Sequence, residues 1–462
     1  MLHLSFLEYS KTDIDDFKEM FSLSISDFAG TIGHDDAVSS KNPTRAIIEL
    51  FNGLEKEEQI VILIDEYDCQ LTANINKPEL YEKFRTCIRD FYAAIKGKRQ
   101  IKFLALTGVT RLKDVSIFSV GSDIMDLSYE NDYSTMIGFT RDEIRKFYSD
   151  YLKLGISYEK GKSVDSITDA EIDEFIDQMA ENYDGFSFDE FNKNKVFSTY
   201  SVNLFLQSIY RKKCVKFGDY WYDAGGLPSV LMNYMESHNL NVENLMTSEI
   251  AIPYNDFKNP TSLIDIDENV LMCQTGYLTL KSDLDPNEDV ILGPANQEVR
   301  TALFRLLSLK VFQKNISPYD SGKEYVLERG TADDIILLFN RVLAALSYDK
   351  YPVNNETVLR ALLQVYLIGK DHDVRAEQHN FKGRSDILVN FPKRRVVLEL
   401  KYTSKVSEEQ KKLAEAEEQL KEKGYGLENL GDRELLQIAC VFNGAKEKRH
   451  ITAFKAIEDP EK

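Results

Sequence analysis

The sequence predicts an α/β protein with more than one hydrophobic core. Three observations carry this: short apolar runs alternate with helical stretches near the start, a helical pattern fills the middle, and an α-β-β-α-β order closes the chain. At 462 residues the chain is about three times a typical domain, so two to four cores are expected. Its 43% hydrophobic and 29% charged residues are those of a globular protein and exclude disordered or collagen-like chains.

Over residues 1–145 the apolar run Gln59-Ile-Val-Ile-Leu-Ile64 precedes an amphipathic helix around 79–96, and Ile101-Lys-Phe-Leu-Ala-Leu106 follows it. Apolar runs spaced by helices are the pattern of buried parallel strands. Residues 146–330 read as a helical lid and middle region. Thr140-Arg-Asp-Glu143 spells a capping box, helical stretches follow near 169–181, 201–213 and 226–237, and another follows Gly293-Pro294. Residues 331–462 form a third unit. Thr331-x-x-Asp334 caps an apolar helix, a second helix follows Asn354-Asn355, and strand-like runs come at 384–390, 395–402 and 436–442, with a charged helix at 406–423.

Charge and cysteine usage narrow the function classes. With 57 Lys and Arg against 76 Asp and Glu, the net charge of −19 repels a polyanion from most of the surface, so a nucleic-acid site must be a local exception. Five scattered cysteines without a C-x-x-C pair give neither a disulfide framework nor a zinc site, which fits a reducing cytoplasm. No apolar stretch approaches the roughly 18 residues that cross a bilayer, so no membrane association is expected. His372 and His379 lack metal-clip spacing, Trp221 is read as a packing aromatic, and Met125, Met136, Met232 and Met235 are read as core fill.

The densest chemistry lies in Gly383-Arg-Ser-Asp386 and, after a Pro-containing turn, Val396-Val-Leu-Glu399-Leu-Lys401. Alternation along a strand puts Glu399 and Lys401 on one face and Leu398 and Leu400 on the other, with Asp386 able to face them across a hairpin. Converging carboxylates repel each other unless a cation or proton intervenes. A hard divalent ion such as Mg²⁺ suits Asp386, Glu399 and the carbonyl of Leu400. An isolated E-x-K on a strand is more often a solvated hairpin, but here a helix precedes it and the second strand is strongly apolar. From Asp371 to Lys405, eight Lys and Arg face five Asp and Glu, a basic island of +3; equally, Lys393-Arg394-Arg395 can be a solvated turn.

In the first unit, Val61-Ile-Leu-Ile64-Asp65-Glu66 is an apolar strand ending in adjacent carboxylates, and Phe103-Leu-Ala-Leu-Thr107 ends in a hydroxyl. Asp-Glu at a strand end also suits the start of a loop or helix.

The pair Asp386 and Glu399-x-Lys401 resembles the PD-(D/E)XK nuclease superfamily. That resemblance implies a restriction-endonuclease-like α/β domain in which Asp386, Glu399 and Lys401 are the catalytic set. Metal ligands would be Asp386 and Glu399, with Glu377 or Glu356 as an added acid. The ordered segments Asp65-Glu-Tyr-Asp68, Leu106-Thr-Gly-Val-Thr110, Ile117-Phe-Ser119, Gly138-Phe-Thr140, Tyr183-Asp-Gly185-Phe and Asn269-Val-Leu-Met-Cys-Gln-Thr275-Gly-Tyr277 are similar to bacterial AAA-ATPase-like proteins with such a C-terminal nuclease domain. The resemblance implies an AAA-type parallel sheet in which Asp65 and Glu66 hold and polarise the nucleotide's Mg²⁺ and water, with Thr107 as sensor.

The sequence departs from that pattern at one place. It contains no G-x-x-x-x-G-K-[ST]; the nearest string, Gly155 to Ser163, is read as a loop. Without amides to cradle phosphates, little ATP affinity is expected. His3-Leu-Ser-Phe6 resembles the strand after the absent loop, so the chain reads either as N-terminally shortened or as a degenerate relative. The function expected is Mg²⁺-dependent phosphodiester hydrolysis on a nucleic acid. Its alternatives are an NTP-dependent switch or partner-binding protein with a silent nuclease-like domain, open to protein partners or self-association, and a structural scaffold.

Overall fold

The computed structural model describes residues 1–111, 124–220, 229–238, 249–260, 262–312, 325–369, 373–376, 379–380, 383–384, 386–428 and 430–457. It is a mixed α/β structure with a parallel sheet at the N-terminus, a helical middle and a mixed sheet at the C-terminus. The chain divides into two compact units, one spanning Met1–His238 with Glu249–Arg300, the other made chiefly of Thr301–Lys462.

In the first unit β1 (Leu2–Ser5), β2 (Ile60–Asp65) and β3 (Ile101–Leu106) form a parallel sheet in that order. Parallel neighbours need crossovers, which the helices Ile14–Thr31, Pro43–Gly53 and Pro78–Ile95 supply. Phe6, Phe17, Phe21, Phe84 and Phe91 interlock beside the sheet, with ring centroids 5.0 Å apart for Phe6 and Phe21 and 4.6 Å for Phe21 and Phe91. The register sets Ser5 beside Asp65 and Ile64 beside Leu106, so the polar residues after the apolar runs gather at one end of the sheet.

The helical middle begins at Thr140, which caps Arg141–Phe147 in the predicted box with Glu143; Thr168 and Glu171 do the same for Asp169–Tyr183. These helices, with Ser149–Lys160 and Thr199–Lys212, close over Leu152, Ile156, Phe175, Met179, Phe205 and Ile209. The loop expected from Gly155 is corrected: Gly155 lies inside Ser149–Lys160. A Cβ there would meet Phe175 Cζ at 2.9 Å, so this glycine serves helix packing, not a phosphate. Gly161, at φ 64°, ends that helix. A small antiparallel sheet of β4 (Ile250–Ile252), β5 (Thr279–Leu280) and β6 (Val290–Gly293) follows, in the order β4-β6-β5. Two methionines assigned to the core are at the surface, Met125 at 68% and Met136 at 67% exposure, whereas Met235 is buried. Trp221 lies outside the described residues.

The second unit holds a five-stranded sheet in the order β13-β12-β11-β10-β7. Its strands are β7 (Asp373–Ala376), β10 (Ile387–Asn390), β11 (Arg394–Thr403), β12 (Glu434–Asn443) and β13 (His450–Ile457); β8 (His379–Asn380) pairs separately with β9 (Gly383–Arg384). Only β11 and β12 are parallel, and the helix Glu409–Lys423 connects them. It packs on the sheet through Ala416 and Leu420 against Leu388, Val397 and Ala439. The helix Glu356–Gly369 packs against β11 and β7. Among the described residues no helix is long and apolar enough to cross a membrane.

Candidate functional site

The β10–β11 ladder brings the C-terminal residues together. Its last pair is Ile387 with Leu398, so one step beyond it Asp386 stands opposite Glu399. Directly opposed residues share a face of the sheet, and Glu399 shares that face with Lys401 two residues on. Among the described residues the β10–β11 pairing runs as far as Leu398, and the Leu400 N–H on that edge donates to Asp386 Oδ2 at 2.8 Å. In a strand a residue's N–H and C=O leave on the same side, so the Leu400 carbonyl lies along this edge too.

The cluster is buried, contrary to the solvated-hairpin alternative. The Glu399 side chain is 4% exposed and that of Lys401 11%, and Lys401 Nζ lies 3.1 Å from Glu399 Oε1. Glu399 Oε2 is buried, and among the described residues no group donates to it. Burial, and then the neighbouring Asp386 carboxylate, push the Glu399 carboxyl up to about 7. Burial pulls the Lys401 ammonium down, but Glu399 and Glu356 outweigh it and hold it above the ordinary lysine value. Lys401 therefore stays charged at neutral pH. Glu356 Oε2 lies 3.6 Å from Lys401 Nζ.

Two members of this site had no part in the sequence reading. Arg360 Nη1 donates to Asp386 Oδ1 at 3.0 Å, and Gln364 Nε2 donates to the Asp386 carbonyl at 3.2 Å. The signal for them was present: Glu356, Arg360 and Gln364 recur every four residues in a largely apolar helix, which puts them on one face. Of the two added acids considered, Glu356 is at the site, and Glu377 lies outside the described residues. Lys401 and Glu356 open onto a cleft of about 460 Å³ whose other walls are Lys412, Glu415, Glu418, Gln419 and Glu422.

The basic island is partly used up in the fold. Arg394 pairs with Glu434 at 3.0 Å and donates to the Gly330 carbonyl. Arg395, 5% exposed, donates to Asn390 Oδ1 and to the carbonyls of Gly426 and Glu428. The solvated-turn alternative for Lys393-Arg394-Arg395 therefore holds only for Lys393, which is exposed.

In the first unit Asp65 and Thr107 meet at the ends of neighbouring strands, where the Thr107 hydroxyl donates to Asp65 Oδ1. Both are exposed. Glu66 sits at φ 54°, a left-handed conformation that a glutamate adopts at a cost, and burial followed by Asp68 and Asp65 raises its carboxyl. Asp68 is fully buried; it accepts from Val109 N and Thr110 N and from the Thr110 hydroxyl. It ties the Thr107–Thr110 segment to the end of β2. Gly108 permits that approach, since a Cβ would lie 2.6 Å from the Tyr67 ring and 2.7 Å from Asp68 Oδ1.

Comparison with known proteins finds a family match over each of the two regions. Residues 1–118 match the family described as predicted AAA-ATPase, and residues 354–451 match the PD-(D/E)XK nuclease superfamily. The chain carries an AAA-ATPase-like domain and a PD-(D/E)XK nuclease superfamily domain. Over 380 residues it is 24% identical to an uncharacterized protein in the vnfD 5′ region of Azotobacter chroococcum mcd 1. That match covers 80% of this chain and 66% of the relative, so the chain spans just under two thirds of the relative's length. The AAA-ATPase-like match takes in Asp65, Glu66 and Thr107, and the nuclease match takes in Glu356, Arg360, Asp386, Glu399 and Lys401.

Proposed function

We propose that the nuclease-superfamily domain hydrolyses phosphodiester bonds of a nucleic acid with the help of Mg²⁺, using Asp386, Glu399 and Lys401. The observation that carries this is Glu399 Oε2, buried beside Asp386 with no donor among the described residues. A carboxylate oxygen taken out of water without a donor is costly unless a cation completes it. The residues fit such an ion. Asp386, Glu399 and the Leu400 carbonyl offer hard oxygen donors, and they would supply only part of an ion's shell, since among the described residues no group of three or more His, Cys, Asp or Glu is placed to hold a metal ion. Mg²⁺ keeps several waters and needs only one or two carboxylates. When bound, it supplies charge for the scissile phosphate and acidifies a water.

The chain's own groups have distinct tasks. Lys401, charged and held between Glu399 and Glu356, acts as an electrostatic stabiliser of the phosphorane charge, not as a base. Four glutamates against two lysines around the cleft disfavour a bare polyanion, so phosphate entry depends on the cation. Asp386→Ala and Lys401→Ala should abolish Mg²⁺-dependent cleavage of DNA or RNA. Wild-type rates in Asp386→Ala would overturn the proposal.

The first unit supports a second reading as a nucleotide-responsive module, resting on the Asp65–Thr107 contact between adjacent strand ends. Micromolar ATP binding that Asp65→Ala abolishes would favour it, and the absence of any ATP signal would remove it. In this scheme the working boundaries are residues 1–145, 146–330 and 331–462, and the site of action is the cytoplasm.

A further inference from the structure

We propose that the end of the helix Thr199–Lys212 in the first unit, with Tyr151 beside it, is a binding surface for single-stranded nucleic acid. It lies outside the nuclease-superfamily domain and does not depend on the metal-dependent reading above. From Thr199 to Gly218 the chain holds Arg211, Lys212, Lys213 and Lys216 and no Asp or Glu, a local charge of +4 in a chain of −19. All four are exposed, and among the described residues none of them makes an ion pair or a hydrogen bond. The carboxylates that flank these segments, Asp150 before Tyr151 and Asp219 after Gly218, pair with none of the four.

Favourable charge at a helix C-terminus accounts for Arg211 and Lys212, which stand in the last turn. It does not account for the next residue. Lys213 caps the helix in the left-handed conformation, at φ 53°, where glycine is free of strain and a lysine is not. A cation kept there at a cost in backbone energy, with no described partner, is held out to solvent. Aromatic rings share this surface. Tyr210 is 65% exposed, and Tyr151, from the neighbouring helix Ser149–Lys160, is 42% exposed. Their centroids are 6.3 Å apart with planes at 65°, so the edge of one ring meets the other and the remaining ring faces stay open. Phosphates answer unpaired cations and bases stack on open aromatic faces, the combination that holds single strands without sequence preference. A duplex keeps its base faces stacked inside and leaves the rings nothing to stack on, and an acidic protein surface answers the cations alone.

The test is fluorescence anisotropy of a labelled oligo-dT single strand of about 20 nucleotides on the full chain, in EDTA so that no metal-dependent cleavage intervenes. At about 50 mM salt wild type should bind it at least about fivefold more tightly than a duplex of the same length. Four phosphate contacts should make log affinity fall against log salt with a slope of about −3. Tyr210→Ala should weaken binding at least about fivefold, and Tyr210→Phe, which keeps the ring, should stay within about twofold of wild type. Replacing Arg211, Lys212 and Lys213 together by glutamine should flatten the slope by about 2. That slope decides the matter should Tyr210→Ala not fold. No binding by wild type, equal affinity for single strand and duplex, or an unchanged slope in the glutamine protein would each overturn the inference. So would binding lost with the glutamines but untouched in a folded Tyr210→Ala protein, which would make the surface a patch for polyanions or acidic proteins at large. Asp386→Ala should bind as wild type does, so a failure to cleave leaves this surface standing, and a failure here leaves the nuclease reading standing.

Discussion

Both units carry acidic residues on an apolar strand, at its end in the first unit and in mid-strand in the second, and the two places differ in solvent access. At Asp65 the carboxylate is exposed and its partner is the hydroxyl of Thr107; at Glu399 it is buried, and its neighbours are an ammonium and a second carboxylate that the Leu400 N–H holds. In water, charges a few ångströms apart interact by about 1 kcal/mol, and several times that in a partly desolvated site. The same residue types are therefore weakly coupled in one place and strongly coupled in the other. The one deeply buried acid of the first strand end, Asp68, is satisfied by Thr110 and Val109 and holds a loop in place.

Substitutions at the two places should separate accordingly. The largest effect is expected at the nuclease site, where Asp386→Ala or Lys401→Ala should lower Mg²⁺-dependent cleavage by about 100-fold or more in a gel assay. Next comes stability at the first strand end. Thr110→Val strips a hydroxyl from the buried Asp68 and should cost roughly 1–3 kcal/mol in chemical denaturation, whereas Thr107→Val at the exposed Asp65 should cost less than about 0.5 kcal/mol. Equal costs would erase the contrast.

A pH series sharpens it further. Because the folded chain holds the Glu399 carboxyl up near 7, between the ordinary glutamate value and 7 the unfolded chain releases a proton that the folded chain keeps. The stability this gives is complete at low pH and is lost as the pH rises through about 7. Glu399→Gln lacks that loss, so relative to wild type it should gain roughly 3 kcal/mol between pH about 4 and pH about 8, read from denaturation midpoints. A flat difference would place the carboxyl in water. The smallest effect is expected for Asp65→Asn, which should leave that pH series unchanged within about 0.5 kcal/mol.

Much of the fold was legible residue by residue. The box Thr331 with Asp334 starts the helix Ala332–Ala344, and Ile101–Leu106 is the parallel strand its apolar run indicated, but none of its residues is buried, against the buried strand expected. What escaped was edge structure. Along β13 only Ile451 is fully buried, so its pattern lacks the apolar alternation that marks a half-buried strand. β7 is four residues long, too short for periodicity to declare itself. Gly155 was misread because glycines punctuate loops more often than helix interiors, and only the Phe175 ring across the bundle explains it.

The candidate site divides in the same way. Asp386, Glu399 and Lys401 stand out because strand alternation and a short turn are local rules that bring them onto one face. The contact of Asp65 with Thr107, 42 residues apart, already depends on the parallel sheet. The partner of Asp386 in turn comes from a helix 26 residues earlier, and the loss of the Arg394 and Arg395 charges to Glu434 and to loop carbonyls spans 31 to 64 residues. Sequence determines which groups can share a face, because backbone periodicity is a property of neighbours. Which of them lose their water, and which cation then answers each carboxylate, is decided by packing between distant elements, and that only the tertiary structure holds.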